Sequence, residues 1–179
     1  MNLDFSLISG AWWAWPNGRS SGAAVKALRC YFGWTWVPTR TRFSAIGVDV
    51  TSGSVGTNVQ LGIYTTRDGK PDLPLFRSSS VSSASTATAS ASLTGPAGTA
   101  GLYLERGYYF LALCSDGTPS IRNHLQQVPG QIGYASLGAT SANTHLYTAL
   151  GSLSLPAQAN GLSYTQGTGN FPGAMLQVA

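Results

Sequence analysis

The sequence has almost none of the residues that usually cover exposed helices. Glu and Lys occur only as Glu105, Lys26 and Lys70 in a chain of 179 residues. Ser, Thr, Gly, Val and Tyr are frequent instead, and these residues favour strands and tight turns. With 22 Gly and 9 Pro, the chain is also too interrupted for a helical bundle or a coiled coil. The sequence therefore predicts an all-β protein.

Alternating apolar and polar residues predict individual strands at residues 44–51 and 59–63. Residues 108–114 are apolar on both faces, which predicts a central strand. The Asp68-Gly69 pair predicts a turn. Regularly spaced short strands of this kind indicate an antiparallel β-sandwich of jelly-roll type. Further strand candidates are residues 30–37, 120–124, 132–137, 145–153 and 174–178.

The N-terminal segment is rich in tryptophan, and all five Trp residues fall between positions 12 and 36. Trp12 and Trp13 would point to opposite sides of a strand, so at least one needs a second apolar surface. Either both faces of this strand are buried within the fold, or Trp12, Trp13 and Trp15 contact a neighbouring subunit. We expect residues 1–27 to act in anchoring or assembly, and residues 28–179 to form the sandwich domain.

Charge is distributed unevenly along the chain. Only 9% of the residues are charged, and none of these falls in residues 78–104 or 123–179. Residues 78–94 consist almost entirely of Ser, Thr and Ala, which suits either a linker or an ordered loop and edge strand, and we favour the second. Two uncharged segments of this length are typical of surfaces that face other protein in a symmetric assembly.

The basic residues are too sparse and scattered for a nucleic-acid interface, despite a net charge of +4. The N-terminus lacks the basic region of a secretory signal, and no apolar run is long enough to span a membrane. We therefore expect neither nucleic acid nor a membrane as partner. Cys30 and Cys114 are either buried free thiols or a disulfide between facing strands, and the missing signal favours thiols.

Catalytic and metal-binding patterns are weak. Residues 18–22 match G-x-S-x-G around Ser20, but a nucleophile elbow needs a strand, a helix and a parallel sheet that the rest of the chain does not predict. His124 and His145 lack nearby ligands, Asp68 and Asp72 are too few for calcium, and Asp49 with Glu105 is the only loosely plausible carboxylate pair for glycoside hydrolysis. We expect no catalytic residue, no metal and no cofactor.

Binding residues are easier to find in the C-terminal third. It is rich in Gly, Ser, Thr, Asn and Gln interspersed with Tyr, a composition close to that of adaptable recognition loops. The same residues would also suit ordinary turns or contacts between identical subunits. The candidate ligand-binding residues are Tyr134, Asn143, His145 and Tyr147.

Four stretches together resemble the β-sandwich modules of tailed-bacteriophage fibre, spike and head-fibre proteins. They are residues 42–51, 59–64, 68–71 and 107–113, and the resemblance covers roughly residues 28–124. It implies a jelly roll, a homotrimer without enzymatic activity, and a place on the virion surface after synthesis in the host cytoplasm. Its implied partners are other copies of the chain and other virion proteins, with a host cell-surface glycan as a further candidate. It assigns no catalytic or ligand-binding residue.

Two other functions compete with this interpretation. A monomeric carbohydrate-binding module would use the same sandwich fold and the polar C-terminal loops. A small serine hydrolase would use Ser20 as its nucleophile, with Asp116 and His124 or His145 following in the appropriate chain order. Our leading hypothesis is the non-enzymatic virion protein, as a compact spike, head fibre or decoration component.

Overall fold

The computed structural model describes residues 9–13, 19–124, 133–134, 142–168 and 171–179. Within these ranges every regular element is a β-strand, apart from one short 3-10 turn at Pro96–Gly98. The strands form two antiparallel sheets that pack face to face, so the predicted all-β sandwich is confirmed. The finer assignment as a jelly roll stays a prediction. None of the described segments forms a helix long and apolar enough to cross a membrane.

The first sheet is organised around one long central strand, β4. Residues 45–47 of β4 have a hydrogen-bonded partner on both sides, with β16 along one edge and β8 along the other. β9 continues the β8 edge, β1 pairs with β16, and β2 pairs with β11. The strands of this sheet are β1 (Trp12–Trp13), β2 (Arg19–Ala24), β4 (Thr41–Ser52), β8 (Ala87–Ser92), β9 (Leu102–Leu104), β11 (Ser120–His124), β15 (Phe171–Pro172) and β16 (Met175–Val178).

The second sheet has the order β13, β3, β10, β5, β6, with β12 and β14 both paired to β13 and β7 paired to β5. β10 lies between β3 and β5, the central position that its apolar faces predict. Asp68 and Gly69 form the two-residue turn between β5 and β6, both with positive φ, as the Asp-Gly pair favours. The strands are β3 (Arg29–Val37), β5 (Asn58–Arg67), β6 (Lys70–Arg77), β7 (Val81–Ser82), β10 (Gly107–Ser115), β12 (Gly133–Tyr134), β13 (Ala142–Ala149) and β14 (Thr165–Thr168).

The main core lies between the two sheets. It takes alternate side chains along most of each strand, as the period of two requires, and β4 changes phase between Phe43 and Ile46, where its register with β16 shifts. On β5 the inward residues are Val59, Leu61 and Ile63, all fully buried, and burial stabilises the fold by about 1.5–3 kcal/mol for each such side chain. The first sheet contributes the facing side chains Phe43, Ile46, Val48, Val50, Ile121 and Leu176.

A second apolar cluster covers the outer face of the second sheet. Residues 150–164, the covering segment, cross this face after β13, and Leu155 and Ala159 pack against the outward side chains of β3, β5 and β10. The Leu155 amide donates to Gln60 Oε1 (3.0 Å), and the Tyr64 hydroxyl donates to the Pro156 carbonyl (2.8 Å). The uncharged residues 150–164 therefore face a sheet of the same chain. From the sequence we expected such an uncharged segment to face another subunit.

Sequence patterns locate most strands but miss β2, β6, β9, β14 and β15. Residues 78–94 form an ordered loop with β7 and β8, as favoured above. β6 contains Pro71 and Pro74, which argue against a strand in a central position. The structure places β6 at the edge of its sheet, where proline is tolerated because one side of the strand has no ladder to complete.

Candidate binding site

Three aromatic side chains lie together on the part of the second sheet's outer face that the covering segment leaves open. Trp36 of β3 and Tyr108 of β10 are direct cross-strand partners, and their ring centroids lie 4.5 Å apart. Trp34 meets Tyr108 edge-on, with centroids 5.3 Å apart. We call these three residues the aromatic cluster. Tyr108 is 56% exposed, and the two tryptophans are half-buried.

The backbone beneath the aromatic cluster is held by hydrogen bonds from neighbouring strands. Trp13 Nε1–H donates to the Trp36 carbonyl (3.3 Å), which links β1 of the first sheet to β3 of the second. The Thr66 hydroxyl donates to the Tyr108 carbonyl (3.0 Å). These contacts lie at the ends of β3 and β5, so they fix the position of rings whose faces are partly open to solvent.

A cation lies beside the aromatic cluster. The Arg106 guanidinium carbon is 5.6 Å from the centroid of the Trp36 ring, within reach of a cation–π interaction. No carboxylate of the described residues forms an ion pair with Arg106, because neighbouring Glu105 binds Arg40 instead, at 2.9 Å. An aromatic surface with an available guanidinium can stack on a flat apolar face and donate hydrogen bonds to polar groups around it.

Tyr103 offers a useful comparison with the aromatic cluster. It is also exposed, at 55%, and the Arg40 guanidinium carbon lies 4.6 Å from its ring centroid. Arg40 is neutralised by Glu105, however, and no described aromatic ring stacks on Tyr103. Among the residues that the structure describes, Tyr103 and Tyr108 are exposed tyrosines with an arginine nearby, and of these two only Tyr108 belongs to a larger aromatic surface.

The four candidate ligand residues from the C-terminal third fall on neighbouring strands. Tyr134 and Asn143 belong to the β12–β13 pair, and their side chains lie outside the described residues. His145 and Tyr147 point to the same face of β13, where both rings contact Tyr31 with centroids about 6 Å apart. His145 is buried, whereas Tyr147 is half-buried with Arg29 above its ring at 4.2 Å. Ligand binding here stays a prediction.

The buried position of His145 has an electrostatic consequence. Burial and, to a smaller extent, the Arg29 charge lower the pKa of His145 from 6.5 to about 4. The imidazole therefore stays neutral at physiological pH. Gly167 of β14 lies against the ring so closely that a Cβ at position 167 would overlap it, so the histidine packs as a structural side chain of the sheet.

The described part of the N-terminal segment belongs to the first sheet. Trp13 packs against the main core, while Trp12 points to the opposite face and covers Gly47, so the predicted opposite orientation of the two rings is confirmed. A Cβ at Gly47 would lie 2.7 Å from Trp12 Cη2, and the glycine therefore makes room for the indole. Trp15 lies outside the described residues. The assembly role expected for residues 1–27 stays a prediction.

The two sandwich edges on the β6 and β8 side differ in chemistry. β6 carries two prolines and the charged residues Lys70, Asp72 and Arg77, which discourage pairing with another chain. β8, with the sequence Ala-Thr-Ala-Ser-Ala-Ser, has neither charge nor proline, and among the described strands it hydrogen-bonds only to β4. A groove of about 560 Å³ separates β8 from residues 76–82. The β8 edge is therefore unprotected.

The cysteines are free and buried. Cys30 and Cys114 lie directly opposite one another on β3 and β10, and both side chains are fully buried in the outer cluster. Burial raises the pKa of the Cys30 thiol above its ordinary value. The sequence left open a disulfide or two free thiols, and in the structure both cysteines are free thiols.

Among the described residues, the sequence candidates for a carboxylate pair and for a metal site do not come together. Ser20 lies inside strand β2, which continues to Ala24 and pairs with β11. A nucleophile elbow would have a helix directly after the serine. Asp49 binds Arg122 at 2.6 Å and Glu105 binds Arg40, so the two carboxylates face separate arginines. Within the described ranges, no group of three or more metal-ligating side chains comes together. Asp68 forms the β5–β6 turn.

Sequence reasoning missed the aromatic cluster, although a signal for it was present. Trp34 and Trp36 are two residues apart on one predicted strand, so they share a face, and Tyr108 begins another. Finding the cluster from sequence requires the pairing of these two strands and the knowledge that residues 150–164 cover only part of the face. Both are long-range properties that local alternation does not contain.

No protein-family model matches the chain, and no curated protein matches it in sequence. The resemblance to phage fibre, spike and head-fibre modules therefore rests on the sequence motifs alone. Three surface features of the molecule bear on its function: the unprotected β8 edge, the aromatic cluster and the Trp-containing strand β1.

Proposed function

We propose that this chain is a non-enzymatic structural protein of a bacteriophage virion. In this proposal it is a fibre, spike or head-fibre and decoration component on the virion surface, assembled as a homotrimer and bound to other virion proteins. The two-sheet antiparallel sandwich is compatible with the fold that the motif resemblance implies, and a jelly-roll assignment belongs to the same proposal. The observation that carries the proposal is the unprotected edge of β8.

An unprotected edge strand favours association because its free N–H and C=O groups can pair with another chain. Proteins that remain monomeric usually interrupt such an edge with charge or proline, as this chain does on β6. On β8, Thr88, Ser90 and Ser92 are exposed, and all are small and uncharged. Close approach of a second strand would therefore meet neither bulk nor charge, which supports a subunit contact at this edge.

A ring of three subunits would use this edge in a head-to-tail contact, in which β8 of one protomer meets a different surface of the next. The adjoining surface supports this arrangement, because residues 78–86 lack charge and Arg77 is the one charged residue among the described residues that line the groove beside β8. β1, a described strand of the N-terminal segment, lies on the other side of the first sheet, where it pairs with β16. It is therefore available for contact with other virion proteins while β8 contacts a second copy.

Light scattering on the purified protein, with added charge on β8, tests the trimer. Thr88→Lys combined with Ser92→Lys places two ammonium groups on β8, at exposed positions where the wild type has no charge. We expect the wild type to have the mass of a trimer and the double variant to have the mass of a folded monomer. Leu75→Lys on the β6 edge is the matched control and should leave the trimer intact.

Two results would overturn the proposal. A wild-type protein that is monomeric at micromolar concentration contradicts the subunit role of the β8 edge. Antibodies against the purified protein should label the outside of assembled phage particles that encode it, and particles without label would contradict the virion assignment. A trimer that survives both lysine substitutions would remove β8 as its supporting observation.

A monomeric carbohydrate-binding module is the second candidate function. The observation in its favour is the aromatic cluster, because exposed tyrosine and tryptophan rings provide stacking surfaces for sugars. Oligomeric mass separates the two candidates directly. A monomer that binds a glycan supports the module, whereas a trimer supports the virion subunit whether or not a glycan binds.

A further inference from the structure

We infer that the aromatic cluster, together with Arg106, is a binding site for a carboxylate-bearing polysaccharide of a cell surface. The inference deepens the proposed function, on which it rests for its biological setting, by naming the chemistry that a virion surface protein would recognise. The site consists of Trp34, Trp36, Tyr108, Thr66 and Arg106. It lies at a different place from the four candidate ligand residues of the C-terminal third.

The shape of the cluster favours a sugar ring. Trp36 and Tyr108 stand side by side across two paired strands, with their rings inclined at 48° and their centroids 4.5 Å apart. Together they form an aromatic platform, on which the exposed Tyr108 ring offers the more open apolar face to the C–H face of a pyranose. Trp34 packs edge-on against Tyr108, with its ring at 65° to the tyrosine ring. The tyrosine face is therefore held in place although the residue is 56% exposed.

Arg106 supplies the charge complementarity that selects an acidic sugar. Its guanidinium lies over the Trp36 ring and has no carboxylate partner among the described residues. A guanidinium presents N–H donors in a planar fork that matches a carboxylate. Arg67 and Lys70 lie at the same end of the second sheet, where Asp68 and Asp72 balance their charges, so the preference for an acidic sugar rests on Arg106. A uronic acid fits this combination of stacking surface and cation.

The framework beneath the platform is rigid enough to bind without rearrangement. The Trp36 carbonyl accepts a hydrogen bond from Trp13, and the Tyr108 carbonyl accepts one from Thr66. Both strands belong to a sheet that is buried on its inner face by the main core and on part of its outer face by the covering segment. A preorganised surface loses little conformational entropy on binding, which favours affinity.

Calorimetric titration of the whole purified chain with hexagalacturonate, and with neutral maltohexaose, tests the inference. We expect hexagalacturonate to bind more tightly than maltohexaose. Tyr108→Ala should weaken hexagalacturonate binding by about tenfold, because one stacking face is lost. Arg106→Gln should remove the preference for the acidic oligomer while keeping the stacking surface. Both residues are exposed, so both variants should fold.

Tyr103→Ala is the matched control, since Tyr103 has the same exposure and its own adjacent arginine but lies outside the cluster. It should bind hexagalacturonate like the wild type. Absence of hexagalacturonate binding, equal binding of the two oligomers, or an equal loss in the Tyr103 and Tyr108 variants would overturn the inference. Failure of the proposed function is seen separately, because the oligomeric mass of the same samples reports the trimer independently of glycan binding.

Discussion

Cys30 and Cys114 occupy the same cross-strand position on β3 and β10, directly opposite one another and fully buried, and both are free thiols. Burial raises the pKa of the Cys30 thiol, which disfavours the reactive thiolate. We expect the native protein to resist alkylation by iodoacetamide and to react at both cysteines once it is unfolded in guanidinium. Intact mass should be the same with and without reductant. A mass that rises by two hydrogens on reduction would contradict the free-thiol state.

The covering segment should contribute substantially to stability through Leu155. This side chain is 2% exposed and packs over Gly62 on the outer face of the second sheet. Leu155→Ala removes these contacts and leaves a cavity, so we expect a loss of about 2–4 kcal/mol in the free energy of unfolding. Urea titration followed by circular dichroism measures it. Ser152→Ala, at an exposed position of the same segment, should change stability little.

His145 should make stability depend on pH in a defined range. Its pKa in the folded state is about 4, below the ordinary value of 6.5. Between these values the unfolded chain binds a proton that the folded chain does not, so stability is complete above pH 6.5 and falls as the pH decreases towards 4. The loss should be on the order of 2–3 kcal/mol.

Urea titrations at several pH values, with wild type and His145→Gln, measure this contribution. Other groups titrate in both proteins, so the informative quantity is the difference between their stability profiles. We expect the glutamine variant to have a flatter profile between pH 6.5 and 4.5. Parallel profiles for the two proteins would show that protonation of His145 does not oppose folding.

Gly47 and Trp12 should be energetically coupled. A methyl group at position 47 would lie 2.7 Å from the indole, and the ring belongs to a two-residue strand that can move away. We expect Gly47→Ala to cost about 1 kcal/mol and to shift tryptophan fluorescence towards longer wavelength as Trp12 becomes more exposed. The cost should shrink when Trp12→Ala is also present. Additive effects of the two substitutions would contradict the contact.

Much of the fold is predictable because β-strands leave a local imprint on sequence. Val59, Leu61 and Ile63 alternate with residues of the other face, and the Asp68-Gly69 pair matches a turn with two positive φ angles. Residues 110–114 are apolar on both faces because the outer face of β10 is covered there as well. In each case a residue's own neighbours in sequence carry the information.

The remaining features depend on contacts between distant parts of the chain. Residues 150–164 have no regular pattern, so their packing against β5 is decided by the surface they cover. The aromatic cluster forms only because Trp36 and Tyr108 are brought together by strand pairing over a long sequence separation. Absence of charge is similarly ambiguous, since an uncharged segment can cover its own sheet, as around Leu155, or remain exposed, as on β8.

The pairing of β16 constrains when the protein can complete its fold during synthesis. Residues 175–178 form β16, which lies between β1 and β4. β1 and β4 are synthesised early and cannot be joined in one sheet until the ribosome has made β16. Until β16 is made, the inner face of β4 and the Trp13 side chain lack the packing of Leu176 and Val178, so the nascent chain exposes apolar surface.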